Sequence, residues 1–140
     1  MISNALSGKP LPVYGDGSNV RDWIFVDDHC QGLWLAFEKA AAGAVYNFGG
    51  REEWDNVSLV KKLCTTLDEL RPRSDGKKYE QQVNFVTDRL GHDKRYAIDD
   101  SKAKEELGFT RSVNFEQGLK QTVQWYLDNG DWCKQVLKAA

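Results

Sequence analysis

Val20-Arg21-Asp22-Trp23-Ile24-Phe25-Val26 is followed by Asp27-Asp28 and then, at helical spacing, by Cys30, Leu33, Trp34, Phe37, Ala40 and Ala41. Gly43 comes next, then Val45-Tyr46-Asn47-Phe48 and Gly49-Gly50. β-branched and aromatic residues favour a pleated strand. An apolar residue every three or four positions marks one face of a helix. Residues 20–48 therefore read strand–helix–strand, with Asp27 or Asp28 as the N-cap and Gly43 as the stop. That alternation is the pattern of an α/β layer, so the expected fold class is α/β with helices packed on short strands.

Towards the N-terminus, Ile2, Ala5 and Leu6 have helical spacing and Gly8 supplies a C′ stop. This short helix lacks an N-cap signal, so the chain reads either as starting inside an element or as having a frayed N-terminus. Lys9-Pro10-Leu11-Pro12-Val13-Tyr14 carries two prolines, which exclude a helix and favour an extended edge strand. Gly15-Asp16-Gly17-Ser18-Asn19 is turn chemistry, and a hairpin from residues 9–14 into residues 20–26 is expected.

Towards the C-terminus, Asp55 or Asn56 caps a helix bearing Val57, Val60, Leu63, Cys64, Leu67 and Leu70. A polar loop from Arg71 to Lys78 leads into the strand Gln82 to Val86. Tyr96-Ala97-Ile98 reads as a further extended segment, and a short helix then runs to Leu107 before Gly108. Asn114 and Gln117 form a capping box for a last helix with Phe115, Leu119, Val123, Tyr126 and Leu127 on its apolar face. Residues 128–140 are polar apart from Trp132, Cys133, Val136 and Leu137, and are expected to be a partly loose tail.

Composition narrows the function classes. With 140 residues, 41% of them hydrophobic and 29% charged, the chain can bury a core and is neither disordered nor membrane-spanning. A net charge of −2 gives no basis for binding nucleic acid or an acidic membrane non-specifically. Cys30, Cys64 and Cys133 are odd in number and widely spaced. They fit neither a disulfide framework nor a zinc site; reduced thiols of a cytoplasmic protein, two of them core-facing, are expected.

Asp88-Arg89-Leu90-Gly91-His92-Asp93-Lys94-Arg95-Tyr96 is the most charged run, with Gly91 at its centre. It reads either as a solvated loop or as an anion-binding loop in which Arg89 and Arg95 present planar forks and His92 adds a donor. Arg21 opens a strand after a glycine turn, where it is either a surface cation or one aimed into a cleft. Asn56 either caps its helix or joins free backbone N–H groups in holding an anion. The strip Lys9 to Tyr14 is either a plain edge strand or the flank of a planar base. These signals share one theme, a phosphate clamp beside a flat apolar groove. No G-x-G-x-x-G, Tyr-x-x-x-Lys or G-x-S-x-G motif occurs, and His29 beside Asp27 and Asp28 reads as helix-cap chemistry rather than a metal site.

Lys9 to Gly17, Arg21-Asp22-Trp23-Ile24-Phe25-Val26-Asp27-Asp28-His29 and Tyr46-Asn47-Phe48-Gly49-Gly50 together resemble the C-terminal half of extended short-chain dehydrogenase/reductases acting on nucleotide sugars. Arg89 to Asp99, with Arg21-Asp22-Trp23 and Trp125-Tyr126-Leu127, is similar to the dTDP-glucose 4,6-dehydratases. The resemblance implies that residues 1–140 are a single nucleotide-sugar-binding domain, part of a longer enzyme. Lys9, Pro10, Leu11, Pro12, Val13 and Tyr14 would line the thymine and deoxyribose of a dTDP-hexose. Arg21 and Arg89 would pair with its pyrophosphate, Asn56 and His92 would lie close by, and Leu90, Gly91 and Asp93 would shape the loop. Leu90 stands where the family often has proline.

The Rossmann half, its tightly held NAD and its proton-transfer residues would lie outside this sequence. Four expectations follow: no catalysis by this chain alone, no NAD bound by it, strand pairing of Val45 to Phe48 with the missing half, and homo-oligomerisation. A UDP- or GDP-sugar epimerase, dehydratase or decarboxylase is the sibling alternative. A non-catalytic nucleotide-sugar-binding module is the alternative from another class.

Overall fold

The structure, a computed structural model, describes residues 1–139. In chain order the elements begin with α1 (Ile2–Leu6), β1 (Leu11–Tyr14), β2 (Val20–Asp22), α2 (Val26–Lys39) and β3 (Glu53–Asp55). There follow α3 (Asn56–Leu70), a 3₁₀ turn (Tyr79–Gln82), β4 (Val83–Val86), a π-helical turn (Ala103–Leu107), α4 (Phe115–Asp128) and α5 (Gly130–Ala139). The α/β class is as expected. Cα packing divides the chain into two compact units. The first holds Met1–Ser18, Asp55–His92 and the residues from Leu119 on; the second holds Asn19–Trp54 and Asp93–Gly118.

In the first unit β1 lies parallel to β4, with Leu11 opposite Val83 and Tyr14 opposite Val86. The expected hairpin with residues 20–26 does not form. A parallel partner requires a long crossover rather than a tight turn, and the intervening chain supplies one. β1 alternates strictly, so Leu11 and Val13 are buried while Tyr14 stays exposed. They join Ile2, Ala5, Val60, Leu63, Cys64, Leu67, Tyr79 and Val123 in the core. The α3 stripe read from the sequence thus faces inward as expected. Its cap is Asp55, whose carboxylate accepts from the Ser58 N–H at 2.8 Å.

In the second unit β2 pairs with β3. Asp22 ties the two together: its carboxylate accepts from the Gly50 N–H (3.0 Å) and the Glu52 N–H (2.9 Å). Gly50 is obligatory, because a Cβ there would lie 1.6 Å from the Trp23 carbonyl oxygen. The strand stops at Asp22 and helix α2 starts at Val26, with Phe25 as N-cap. Asp28 is not a cap. It is buried and accepts from the Ser112 N–H and hydroxyl at 2.8 and 2.6 Å. Buried Asp100 is held between Arg51 and Arg111, at 2.7 and 2.6 Å. The capping box is present, with Gln117 N–H donating to Asn114 Oδ1 at 2.9 Å and Asn114 N–H to Gln117 Oε1 at 3.3 Å.

Further expectations change. The apolar stripe of α2 is real but faces outward: Leu33, Trp34 and Phe37 are exposed, Phe37 by 81%. The helix turns Asp28 and Gly32 inward instead, and the bare Gly32 admits the Phe48 ring. Val45 to Phe48 has no ladder partner among the described residues; the partner expected for it belongs to the half outside this sequence. Only Cys64 among the thiols is buried; Cys30 is exposed and Cys133 intermediate. Residues 130–139, expected to be partly loose, form α5; the side chain of Leu137 lies outside the described residues.

The Asp55 cap gives a pH-dependent contribution. The Ser58 N–H holds its carboxyl below the ordinary carboxylate range. A group depressed in the folded state stabilises above its unfolded pKa, and that contribution fades as pH falls through the folded value. Asp55→Ala is expected to cost about 1 kcal/mol at neutral pH. The difference from the parent should shrink on acidification, measured by urea unfolding at stepped pH. The fully buried Leu67 serves as control, since Leu67→Ala should cost about 2–5 kcal/mol throughout.

Candidate functional site

The chain leaves β4 at Val86, whose carbonyl accepts from the Gly15 N–H at 2.9 Å. This bond follows directly from the β1–β4 register and sets the start of the charged loop beside the end of β1. Asp88 then lies against Gly15. A Cβ at Gly15, where φ is +58°, would sit 3.1–3.2 Å from the Asp88 side chain, so the glycine both permits the turn and leaves the room.

From there the loop folds on itself. Asp88 Oδ1 accepts from the Arg89 backbone N–H at 2.8 Å, and the His92 N–H donates to the Arg89 carbonyl at 3.2 Å. Gly91, at φ +72°, lets the backbone close this turn. His92 Nδ1 lies 2.7 Å from Asp88 Oδ1, and His92 Nε2 lies 3.1 Å from Arg89 Nη2. The Arg89 guanidinium sits over the Tyr14 ring, 4.9 Å from its centroid, and the imidazole meets the same ring edge-on at 6.4 Å. The hydrogen bond from His92, then that from the Arg89 N–H, holds the Asp88 carboxyl below its ordinary range. The His92 side chain is only 7% exposed, whereas Arg89 is open to solvent.

The first unit therefore brings together Tyr14, Arg89 and His92. Gly91 shapes their loop, and the Leu90 side chain points wholly into solvent. The Lys9–Tyr14 strip is only partly available. Lys9 and Pro10 are exposed and Pro12 half-buried, but Leu11 and Val13 are spent on the core. A planar ligand against this strip meets Pro12 and Tyr14. At the start of α3, the Val57 N–H donates to the Gly17 carbonyl at 3.0 Å and the Ser58 N–H to Asp55. Protein acceptors thus take two of the N–H groups that the sequence offered to an anion, which leaves the Asn56 side chain for that role.

The second unit holds Arg21 and Asp93. Arg21 donates to the Val20 carbonyl at 2.6 Å and the Asp93 carbonyl at 3.0 Å, and its guanidinium lies 4.6 Å from the Tyr96 ring centroid. The Tyr96 hydroxyl donates to the Asp93 carboxylate, which raises the phenol pKa. Arg95 is already engaged by a carboxylate. It makes a bidentate pair with Glu53, both bonds 2.7 Å. The sequence reading missed Asp88 and Tyr96. For Asp88 the signals were its i,i+4 spacing from His92 and the glycine at position 15.

Among the thiols the one buried group is not an activated nucleophile. Burial pushes the Cys64 thiol up to about 11, far from a reactive thiolate. Among the described residues no group of three His, Cys, Asp or Glu side chains could hold a metal ion. What is offered is a planar cation braced by an aromatic face and a buried imidazole, with the geometry suited to a phosphate.

Residues 1–122 match a family model described as GDP-mannose 4,6 dehydratase. A dTDP-glucose 4,6-dehydratase of Xanthomonas campestris pv. campestris is 53% identical over 98% of this chain and 39% of its own length. The crystal structure of a dTDP-glucose 4,6-dehydratase from Bacillus anthracis, in complex with NAD, is 44% identical. It superposes with a TM-score of 0.78 over 94% of this chain and 39% of that one. A dTDP-glucose 4,6-dehydratase from Streptomyces venezuelae, also with NAD bound, gives 0.81 at 40% identity over 94% and 38% of the two chains. The chain thus spans about two fifths of the length of the curated relatives it matches. The match over residues 1–122 and these identities show that the chain belongs to the nucleotide-sugar dehydratase family described by the GDP-mannose 4,6 dehydratase model, as a part of an extended short-chain dehydrogenase/reductase.

Proposed function

We propose that residues 1–140 are the nucleotide-sugar-binding portion of a dTDP-glucose 4,6-dehydratase, a lyase that converts dTDP-glucose to dTDP-4-keto-6-deoxyglucose and water. The observation that carries this reading is Arg89. Its guanidinium is solvent-facing and stacked on Tyr14, and Nη2 makes a single hydrogen bond while Nη1 and Nε have no partner among the described residues. Such a fork suits a diphosphate oxygen, and the adjacent Tyr14 and Pro12 suit a thymine face. His92 and Asn56 are further candidates for the phosphate. Arg21, within its own unit, keeps the phosphate role implied by the resemblance; Leu90, Gly91 and Asp93 keep their loop roles.

NAD does not fit the residues of this chain. Its glycine-rich turns, Gly15 to Gly17 and Gly49-Gly50, lead into strands rather than into a helix N-terminus that could cradle a pyrophosphate. The cofactor is assigned to the rest of the longer enzyme, the Rossmann half, and no step is routed through it. The same division leaves this chain with substrate-holding groups and without hydride or proton machinery. Among the described residues no helix is long and apolar enough to cross a membrane; a cytoplasmic site of action is part of the proposal. Homo-oligomerisation is proposed from the exposed Leu33, Trp34 and Phe37.

Three measurements test this. In calorimetry, dTDP should bind the chain, and Arg89→Ala should weaken it by about 1.5–3 kcal/mol, roughly 10- to 150-fold; UDP or GDP binding more tightly would move the assignment to the sibling enzymes. Incubated with NAD and dTDP-glucose, the chain should yield no 4-keto-6-deoxy sugar, and product formation would overturn the division of labour. Static light scattering should show association rising with concentration; a monomer throughout would refute self-association.

A further inference from the structure

The feature that the binding reading does not absorb is a carboxylate. Asp88 carries negative charge within the loop that presents the anion-binding cation. Simple electrostatics makes it a liability there, since it opposes the phosphate. Its position is nonetheless built in: the chain gives up a side chain at Gly15 to seat it, and the Val86 carbonyl pins the backbone beside it.

The hydrogen-bond chemistry of its neighbours explains why. An ionised carboxylate only accepts, so the 2.7 Å contact with Asp88 requires a proton on His92 Nδ1. A guanidinium only donates, so the 3.1 Å contact with Arg89 requires a lone pair on His92 Nε2. Both neighbours select one species, the neutral imidazole with its proton on Nδ1. The other neutral tautomer would lose both bonds at once. In this way Asp88 fixes the acceptor that faces Arg89, much as a second carboxylate orients a metal-binding histidine. Arg89 is then held on two sides, by the Tyr14 face and by the imidazole lone pair, with Nη1 and Nε left without a partner among the described residues. A long side chain ordered before binding loses less conformational entropy on binding.

We propose that Asp88 is a positioning residue for Arg89: it acts through His92, whose Nε2 lone pair orients the guanidinium for a nucleoside diphosphate. The proposal rests on the reading of Arg89 as the phosphate cation and assigns Asp88 a role in it. It also changes His92 from a direct phosphate donor into the arm that carries Arg89.

The test is a double-mutant cycle on the 140-residue chain with dTDP as probe. Asp88→Ala removes a negative charge beside an anion, so a purely electrostatic role makes binding tighter. Positioning makes it weaker, by roughly 3- to 10-fold, with partial recovery in Asp88→Asn, which retains an acceptor for the Nδ1 proton. His92→Ala should weaken binding similarly. In the Arg89→Ala background neither substitution should weaken it further. Tighter binding in Asp88→Ala, or a full additional loss from His92→Ala when Arg89 is already absent, would overturn the proposal. An independent readout needs no ligand. Nitrogen-15 spectra of the parent above the imidazole titration should show His92 protonated on Nδ1, and Arg89 Nε relaxation should report lost order in Asp88→Ala. The opposite tautomer, or unchanged order, refutes positioning even where dTDP fails to bind, an outcome that would separately refute the anion reading.

Discussion

The parallel pairing of β1 with β4 is the constraint on which the candidate site depends. Register alone puts Tyr14 opposite Val86, and the next residue of each strand inherits that alignment. Gly15 therefore reaches the Val86 carbonyl, and Asp88 falls against Gly15. A one-residue slip would turn Leu11 and Val13 out of the core and carry Tyr14 into it. Core and site are thus specified by the same alternation: the inward residues fix the register, and the register fixes the ring on which Arg89 rests.

Much of this was legible in the sequence wherever a local period or a local cap decided the outcome. Helix α3 follows from its apolar spacing and Asp55, and the α4 start follows from Asn114 and Gln117. The loop containing Arg89 and His92 was marked by its own charge density. Failures came where the answer depended on a distant partner. Residues 9–14 and 20–26 looked like a hairpin because a glycine-rich turn joins them, yet β1 finds its partner at Val83 to Val86. Val45 to Phe48 has strand composition, but a strand exists only when another strand is beside it.

Helix α2 illustrates the same limit at the level of faces. Periodicity identifies an apolar stripe; it does not say what the stripe meets. Here the smaller side of the helix, with Asp28 and Gly32, packs inward because Asp28 finds Ser112 and the bare Gly32 accommodates Phe48. Two hydrogen bonds to a buried carboxylate and one close aromatic approach determine which face turns in, and neither has a signature at helical spacing. Leu33, Trp34 and Phe37 are left as an exposed apolar surface.

Arg89 and Arg95 show why residue type alone could not locate the site. They lie in one nine-residue run, carry the same planar fork and looked equivalent as phosphate ligands. Glu53 takes both bonds of Arg95 in a bidentate pair, and the glutamate's pKa falls as a result. Arg89 instead meets a neutral imidazole acceptor and an aromatic face, contacts that fix its direction without neutralising its charge. A cation held by a carboxylate must break that pair before it can serve an anion, whereas one held by a lone pair and a ring keeps its full charge for the incoming phosphate. The relevant quantity is the hydrogen-bonding capacity left unspent after folding. For Arg95 that quantity is set by Glu53, 42 positions away, and for Arg89 by His92, three positions on, while the ring beneath Arg89 comes from distant Tyr14; a local reading therefore left the two arginines equivalent.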